Sequence, residues 1–379
     1  MSDEISRAWA YLSRVAEPPC PELLALVRRV GPVEAADRVR TGKAEDDALA
    51  RRVDARRQID CAADDLDVLN RMGGRLITAD DAEWPLLAFT AFRGADDRLR
   101  AQAHEPMVLW AVGPARLDEV SYRAAAIVGT RAATAYGDYV AADFAAGLAA
   151  RDAAVVSGGA FGIDGAAHRA ALAADGVTVA VLAGGVDVPY PSGHAAMLRR
   201  IREQGLVVSE YPPGVRPARH RFLTRNRLVA GLAGATVVVE AGARSGAANT
   251  AAWARALGRA VCAVPGPVTS SVSVGCHALL RANAHLVTRV EDIVELIGRV
   301  GELAPDEERP TSALDGLDDT EKRVYDAFPA RAARTVDEIA VAAGVPATQV
   351  LGPLAVLELG GLVVRRDGKW KLARPVEPV

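Results

Sequence analysis

The chain has 379 residues, a formal net charge of -3 at pH 7 and a hydrophobic content of 50%. This length allows two or three domains with a large buried core. Its four cysteines show no CxxC spacing, so neither a zinc site nor a disulfide framework is indicated, and a reduced compartment fits best; they are Cys20, Cys61, Cys262 and Cys276.

The sequence lacks the usual signals for export or membrane insertion. The N-terminal segment MSDEISRAWAYL is acidic and does not follow the basic, apolar and small-residue order of a signal peptide. The longest stretch without a formal charge, residues 260–280, is interrupted by Pro265, Gly266 and Pro267, which is unlike a membrane span. We therefore expect a cytoplasmic protein with no membrane partner.

Residues 1–74 are predicted to form a small N-terminal helical domain. Apolar and charged positions alternate at helical spacing from Leu23 to Val39, with a break at Gly31-Pro32. Two short strands are predicted next, at Leu76–Thr78 and Met107–Trp110, on either side of a turn at Trp84-Pro85.

From about residue 120 the pattern becomes an alternation of strands and helices. The strands are continuous apolar runs without polar alternation, as expected for a parallel sheet that is covered on both faces. This predicts an α/β core over residues 75–298. The predicted strands are Ala124–Val128, Ala153–Val156, Val177–Leu182, Leu206–Val208, Thr236–Val239 and Ala260–Val264, with helices at Tyr136–Ala150 and Gly165–Ala174.

The C-terminal part is predicted to be a linker followed by a winged-helix domain. Residues 299–316 are acidic, contain proline and lack apolar periodicity, which is typical of a linker. Residues 317–374 carry helical patterns at Glu321–Ala327, Val336–Ala343 and Thr348–Leu359, then a hairpin around Asp367-Gly368. Charges in this tail roughly balance, so contact with DNA and contact with protein are both open.

Several predicted strands end in glycine-rich turns. Because ligands of an open parallel sheet bind beyond the carboxyl ends of its strands, these turns indicate a site. Their backbone N–H groups and the helix starts behind them suit phosphates. The simpler interpretations are that the glycines allow close packing and that Asp164 caps a helix. For His168 and Glu240, both a structural role and a chemical role remain possible. The turns are Gly129-Thr130-Arg131, Ser157 to Asp164, Ala183-Gly184-Gly185 and Glu240 to Gly246.

An arginine cluster stands out in this slightly acidic chain. The run Arg216 to Arg227 holds five arginines and His220, after Tyr211-Pro-Pro-Gly and before an apolar strand-like run. It is predicted to lie at the junction of a loop with the next element. Focused positive charge is what a polyanion binder needs, although a solvated charged face gives the same pattern.

Two motif absences limit the enzyme classes. The chain contains no GxxxxGK[ST] sequence, which disfavours a P-loop ATPase. The segment from Gly129 to Gly137 does not match GxGxxG, which disfavours a nicotinamide dehydrogenase. The histidines show no metal-ligand spacing. We expect no cofactor and no metal.

In their order, these blocks resemble the DNA-processing protein A family, also called Smf. The similarity covers about residues 75–297, with a winged-helix tail and, more weakly, a sterile-alpha-motif-like or helix-hairpin-helix extension at the N-terminus. The blocks are IVGTR (127–131), SGGAFGID (157–164) with Ala167-His168, SEYPPG (209–214), FLTRNR (222–227) with Ala230-Gly-Leu232, Glu240-Ala241 with Ser245-Gly246, and VPG (264–266).

The resemblance implies a single-stranded DNA-binding protein that protects incoming DNA and loads the RecA recombinase during natural transformation. It also implies an extended Rossmann-like core that dimerises and has no known catalysis. The DNA-binding residues it implies are Gly129, Thr130, Arg131, Ser157, Gly158, Gly159, Phe161, Gly162, Asp164, Arg221, Arg225, Asn226, Arg227, Ser245 and Gly246.

The chain departs from the family pattern at a few positions. Phe161 replaces a common basic residue and offers a ring that can stack on a base. His194 stands where asparagine is usual, and Leu223-Thr224 replaces a proline-containing turn. His277 and Asn283 also differ from the usual asparagine and glycine.

Two other interpretations remain open. One is an enzyme similar to the nucleoside-phosphate phosphoribohydrolases, which use a related pocket. Here the segment Gly242 to Gly246 lacks that family's prolyl turn, and no glutamate follows Asn249 through Leu257. The other is an adaptor that makes only protein contacts, which suits the balanced tail better than the arginine cluster.

Overall fold

The computed structural model describes residues 2–43, 46–95, 99, 102–243, 245–298, 302, 314–330 and 332–373. Its chain separates into two compact units, residues 1–304 and 305–379. The predicted linker at 299–316 lies almost entirely outside the described residues. The predicted boundaries at residues 74, 298 and 316 stay predictions.

Five helices open the first unit. Gly31 adopts a φ of +83° at the end of one helix, and Pro32 begins the next, which produces the predicted break at this dipeptide. The apolar faces of these helices share one core with Leu76, Val108 and Trp110 of the sheet. The five helices are α1 (Asp3–Val15), α2 (Pro21–Val30), α3 (Pro32–Arg40), α4 (Asp47–Val53) and α5 (Ala62–Arg71).

The rest of this unit alternates strands and helices. In chain order the elements are β1 (Gly74–Thr78), α6 (Leu86–Phe89), β2 (Val108–Val112), α7 (Leu117–Tyr122), β3 (Ala124–Val128), α8 (Ala135–Ala149), β4 (Ala154–Ser157), α9 (Ile163–Ala173), β5 (Thr178–Val181), α10 (Ala195–Gln204), β6 (Leu206–Ser209), α11 (Arg219–Gly231), β7 (Ala235–Val238), α12 (Gly246–Ala256), β8 (Ala260–Ala263), α13 (Val274–Arg281), β9 (His285–Leu286) and α14 (Val290–Ile297).

The arginine cluster begins in the loop before helix α11 and continues into that helix, so the junction of loop and element falls inside the run, at Ala218 and Arg219. Pro217 stands just before the helix, where a proline is tolerated, and no further proline or glycine interrupts it before Gly231. The element is a helix, and the predicted strand-like run after Arg227 was wrong. Leu228 to Ala230 continue the helix and are buried against the sheet.

The nine strands form one sheet in the order β1-β2-β6-β5-β4-β3-β7-β8-β9. Pairing is parallel from β6 to β9, whereas β2 is antiparallel to both β6 and β1. The stretch β5-β4-β3-β7-β8-β9 has the Rossmann strand order, and the chain reverses direction across the sheet between β3 and β7. The mostly parallel sheet of the predicted fold class is confirmed.

Both faces of the sheet are covered, as the continuous apolar strands predicted. Along β3, Ala125 and Ile127 join the core formed with α8, α9 and α14. The alternate residues Ala124, Ala126 and Val128 join the core that contains Leu228 of α11 and Trp253 of α12. The crevice at the strand ends therefore lies between two packed helical layers.

The second unit has the winged-helix elements that the sequence predicts. They are α15 (Asp319–Asp326), α16 (Val336–Ala343), α17 (Ala347–Leu359), β10 (Val363–Arg366) and β11 (Lys369–Leu372). The two strands form an antiparallel hairpin, and Arg334 adds a single bridge to Trp370. The core of this unit includes Val324, Ile339, Leu354 and Trp370.

Across the described part of the chain, no single helix is long and apolar enough to cross a membrane. The pair α16 and α17 meets that test of length and hydropathy only when both are counted together, and they are bent by 101° relative to each other.

Candidate nucleic-acid interface

A cavity of about 700 Å³ opens at the carboxyl ends of β3 and β4. It lies between α11 and the first turn of α12, at the point where the strand order reverses and Rossmann-like sheets bind their ligands. Nine of the fifteen predicted site residues line it: Gly129, Thr130, Arg131, Gly158, Asp164, Arg225, Asn226, Ser245 and Gly246.

Arg225 is a buried positive charge in the cavity wall. Its side chain comes from α11, and Nη1 donates a hydrogen bond of 2.5 Å to the carbonyl oxygen of Val181. Its Nε has no hydrogen-bond partner among the described residues. Burial lowers the pKa of Arg225 to about 10, and the Asp164 carboxylate opposes that shift. The guanidinium is therefore still charged at neutral pH, and an anion in the cavity would lie close to it.

Asp164 holds the glycine turn beside this arginine. Its Oδ2 accepts hydrogen bonds from the backbone N–H groups of Gly158 at 3.1 Å and Ala160 at 3.3 Å. Burial raises the pKa of Asp164, while Arg225 and these N–H groups lower it. Asp164 lies in the first turn of α9, but the predicted capping role is corrected, because its carboxylate closes the preceding loop.

Gly158 lets the guanidinium come this close. A Cβ at this position would lie 2.1 Å from Nη1 and 2.6 Å from Cζ of Arg225. Arg225 can therefore occupy its observed position only because residue 158 has no side chain. This is a second role for Gly158, in addition to its place in the glycine-rich turn that the sequence indicated.

The first turn of α12 forms another wall. Ser245 caps the helix by accepting from the N–H of Ala248 at 3.3 Å. Asn226 donates to the carbonyl oxygen of Gly246 at 3.4 Å and to Oδ1 of Asn249 at 3.1 Å. Asn226 thereby ties α11 to the start of α12. The positive end of the α12 dipole faces the cavity and favours an anion there.

An aromatic wall completes the cavity. Phe222 and Tyr190 have ring centroids 5.3 Å apart, and the guanidinium carbon of Arg131 lies 5.5 Å from the Phe222 centroid. Flat apolar rings beside cationic groups suit a nucleobase that is attached to phosphates. Arg219 also lines the cavity.

Arg219, Tyr190 and Phe222 were not predicted as site residues. For Arg219 and Phe222 a signal existed, because positions 219, 222, 226 and 229 recur at three- and four-residue spacing and all line the cavity. The apolar run after Arg227 indicated a strand rather than the end of a helix, and this concealed the helix face. For Tyr190 we find no equivalent signal in the sequence.

Four predicted residues belong to the glycine turn but not to the cavity lining. Ser157 is buried and donates to the carbonyl oxygen of Ile127 at 2.6 Å. Gly162 has a φ of +73°, and a Cβ there would lie 2.3 Å from the carbonyl oxygen of Thr130. Gly159 also has a φ of +73°. Phe161 is 48% exposed and packs edge-on to His194 at 4.7 Å.

Arg227 and Arg221 are turned to other partners. Arg227 forms a two-pronged ion pair with Glu210 at 2.5 and 2.7 Å, and the side chains are only 1% and 4% exposed. Arg221 pairs with Glu17 at 2.6 Å. The structure does not bring these two guanidinium groups to the cavity, so it does not support the expected phosphate contact by Arg227.

His168 and Glu240 have structural partners. His168 is fully buried with Nδ1 2.7 Å from Oγ1 of Thr178, and burial lowers its pKa to about 3. Glu240 accepts from the backbone N–H and the hydroxyl of Thr134 at the start of α8, at 3.0 and 2.6 Å. Among the described residues no group of three His, Cys, Asp or Glu side chains could hold a metal ion.

Comparison with known proteins identifies the family of this chain. A family model described as DNA recombination-mediator protein A matches residues 75–298, which is more than half of the sequence. The chain belongs to the DNA recombination-mediator protein A family. A second model, the DprA winged helix domain, matches residues 308–369. The family resemblance inferred from the sequence is therefore confirmed.

Individual members of the family support this assignment. The DNA processing protein DprA of Mycobacterium tuberculosis is 69% identical over 374 residues, which cover 99% of this chain and 96% of that protein. Protein Smf of Escherichia coli strain K12 is 38% identical over 252 residues, which cover 65% of this chain and 66% of that protein. The solved structure of DprA from Streptococcus pneumoniae has a TM-score of 0.61 at 29% identity and covers 77% of this chain and 97% of that chain.

Proposed function

We propose that this recombination-mediator protein binds single-stranded DNA in the cavity between α11 and α12. The observation that carries the proposal is the charged Arg225 guanidinium, which is buried in the cavity wall and reaches it only because residue 158 is glycine. A buried charge is costly unless it is paired, and a phosphate is a suitable partner for a guanidinium.

The remaining walls suit the other parts of a nucleotide. Arg131, Arg219 and the start of α12 would meet phosphates, and the rings of Phe222 and Tyr190 would meet a base. Only an unpaired base exposes its face for such stacking, which is why we propose single strands rather than duplex. The contacts involve the DNA backbone and ring faces, so binding should tolerate many sequences.

The family assignment supports the larger role. We propose that the protein protects incoming single strands and loads RecA during natural transformation and recombination, as a homodimer in the cytoplasm. We propose no catalytic step. The Asp164 carboxylate, which interacts electrostatically with Arg225, is occupied by the glycine turn, and the α12 helix lacks the glutamate that a phosphoribohydrolase-like reaction would require.

A binding competition tests this function. Labelled oligo-dT bound to the protein should be displaced by unlabelled oligo-dT at much lower concentration than by a duplex of the same length. Incubation with nucleoside monophosphates should release no free base. Equal displacement by duplex would overturn the single-strand proposal, and release of free base would establish the enzymatic alternative instead.

A further inference from the structure

The winged-helix unit separates its charges into two regions. Over residues 317–373 there are eight acidic and eight basic residues. The overall balance therefore does not predict a polyanion partner. Between Arg334 and Arg365, however, the chain has no lysine or arginine, whereas residues 365–371 contain four. The cations are concentrated on the hairpin of β10 and β11, which we call the wing.

Helix α17 is poorly suited to enter a DNA groove. In a helix-turn-helix arrangement such as that of α16 and α17, the second helix reads the major groove. Residues 347–359 include no cation, and their exposed side chains include Leu351, Val356, Glu358 and Leu359. Among its exposed side chains only Thr348 and Gln349, in the first turn, can donate hydrogen bonds to a base, and none carries a positive charge for a phosphate.

The wing has the opposite character. Side chains alternate between the faces of a hairpin, and Trp370 faces the core with Val363. The register pairs Arg366 with Lys369 and Val364 with Lys371 on the other face. Three cations thus share the outer face of the wing: Arg366, Lys369 and Lys371.

The four basic side chains of the wing are accessible to a ligand. Arg365, Arg366 and Lys369 are exposed, and Lys371 is partly exposed. Within the described parts of this unit, 314–330 and 332–373, none of the four lies within 4.0 Å of a carboxylate, although Lys369 is among the groups that lower the pKa of Glu338, after the hydrogen bonds from Thr335. The guanidinium carbon of Arg365 instead lies 5.7 Å from the centroid of the Trp370 ring, within range of a cation–π contact.

We propose that the wing, rather than helix α17, binds DNA, through its backbone phosphates and without reading sequence. It forms a second DNA contact that is independent of the cavity between α11 and α12. Both single strands and duplex carry the phosphates that this surface recognises, so the wing supplies affinity while the cavity supplies the preference for single strands.

The test uses the full chain with Arg366, Lys369 and Lys371 all changed to glutamine. Its matched control removes the same charge from the N-terminal region by changing Lys43, Arg51 and Arg71, all exposed, to glutamine. Affinity for oligo-dT and for a duplex of equal length is measured over a range of salt. Each lost phosphate contact should reduce the slope of log K against log salt by about 0.7 on single strands and about 0.9 on duplex.

The wing variant should therefore lose up to about 2 slope units on oligo-dT and up to about 2.7 on duplex, if all three contacts are made. The control should keep the slopes of the wild type. A loss confined to one DNA form identifies that form as the ligand of the wing. Equal losses in the control, or unchanged slopes in the wing variant, would overturn the proposal.

A second variant tests the helix. Thr348 and Gln349 are the exposed polar residues in the first turn of α17, and the double change to alanine should leave both affinities unchanged. A sequence-dependent loss of duplex binding would show that α17 enters the groove after all. The Arg225→Gln variant separates this test from that of the cavity, because it leaves the wing intact.

Discussion

Substitution of Gly158 by alanine should displace Arg225 without removing its charge. The added Cβ would lie 2.1, 2.5 and 2.6 Å from Nη1, Nη2 and Cζ of the guanidinium, and real Cβ contacts essentially never fall below 3.0 Å. Gly158 does not have a positive φ, so alanine introduces no backbone strain of its own. The guanidinium must therefore leave its position beside the cavity.

The size of the effect follows from the lost contact. A hydrogen bond to a charged group contributes about 1.5–3 kcal/mol. At about 1.4 kcal/mol for each factor of ten, loss of one phosphate contact weakens single-strand binding about 10- to 140-fold. Arg225→Gln should have an effect of the same order, since it removes the same guanidinium.

Fluorescence anisotropy with labelled oligo-dT measures the change, and circular dichroism shows whether each variant is folded. Gly242→Ala is the control, because its Cβ would meet no atom within 4 Å and Gly242 does not line the cavity. It should bind like the wild type. A folded Gly158→Ala protein with wild-type affinity would refute the role of Arg225.

Three further results are expected. Burial, together with the charges of His194, Arg225 and Arg169, lowers the pKa of His168 to about 3. Below pH 6.5 the unfolded chain binds a proton at this histidine and the folded protein does not, so the free energy of unfolding falls by about 1.4 kcal/mol for each pH unit. Between pH 7 and pH 5, the free energy of unfolding measured with urea should therefore fall by about 2 kcal/mol less in His168→Gln than in the wild type. An equal fall in both proteins would contradict this. Arg227→Met leaves the Glu210 carboxylate buried and unpaired, so stability should fall by about 3–5 kcal/mol while the salt slope for oligo-dT stays unchanged. A salt slope for oligo-dT that is smaller in that variant than in the wild type would show that Arg227 does contact a phosphate. Phe222→Leu should weaken oligo-dT binding by about 1–3 kcal/mol at constant salt slope, since it removes a stacking surface and no charge; unchanged affinity would exclude base stacking there.

The sequence predicted the sheet well because burial on both faces leaves a strong local signal. The run Val237-Val238-Val239, for example, has no polar alternation and is followed at once by a polar, glycine-rich turn. The antiparallel placement of β2 beside β6 has no such signal, because it depends on pairing between segments about a hundred residues apart.

The partners of the arginines could not be predicted in the same way. Glu17 meets Arg221 across 204 positions of sequence, and Glu210 meets Arg227 from a loop that precedes the helix. Charge counts treat the five arginines alike, whereas folding neutralises two of them and leaves Arg225 beside the cavity. The spacing of positions 219, 222 and 226 predicts that they share one face of a helix, but only once the cluster is assigned to a helix.

The salt dependence of oligo-dT binding, compared between the wild type and Arg225→Gln, tests the central claim most directly. If Arg225 contacts a phosphate in the cavity, the slope of log K against log salt should be smaller in the variant by about 0.7, together with a large loss of affinity. An unchanged slope and affinity in a folded Arg225→Gln protein would place the DNA elsewhere on the molecule.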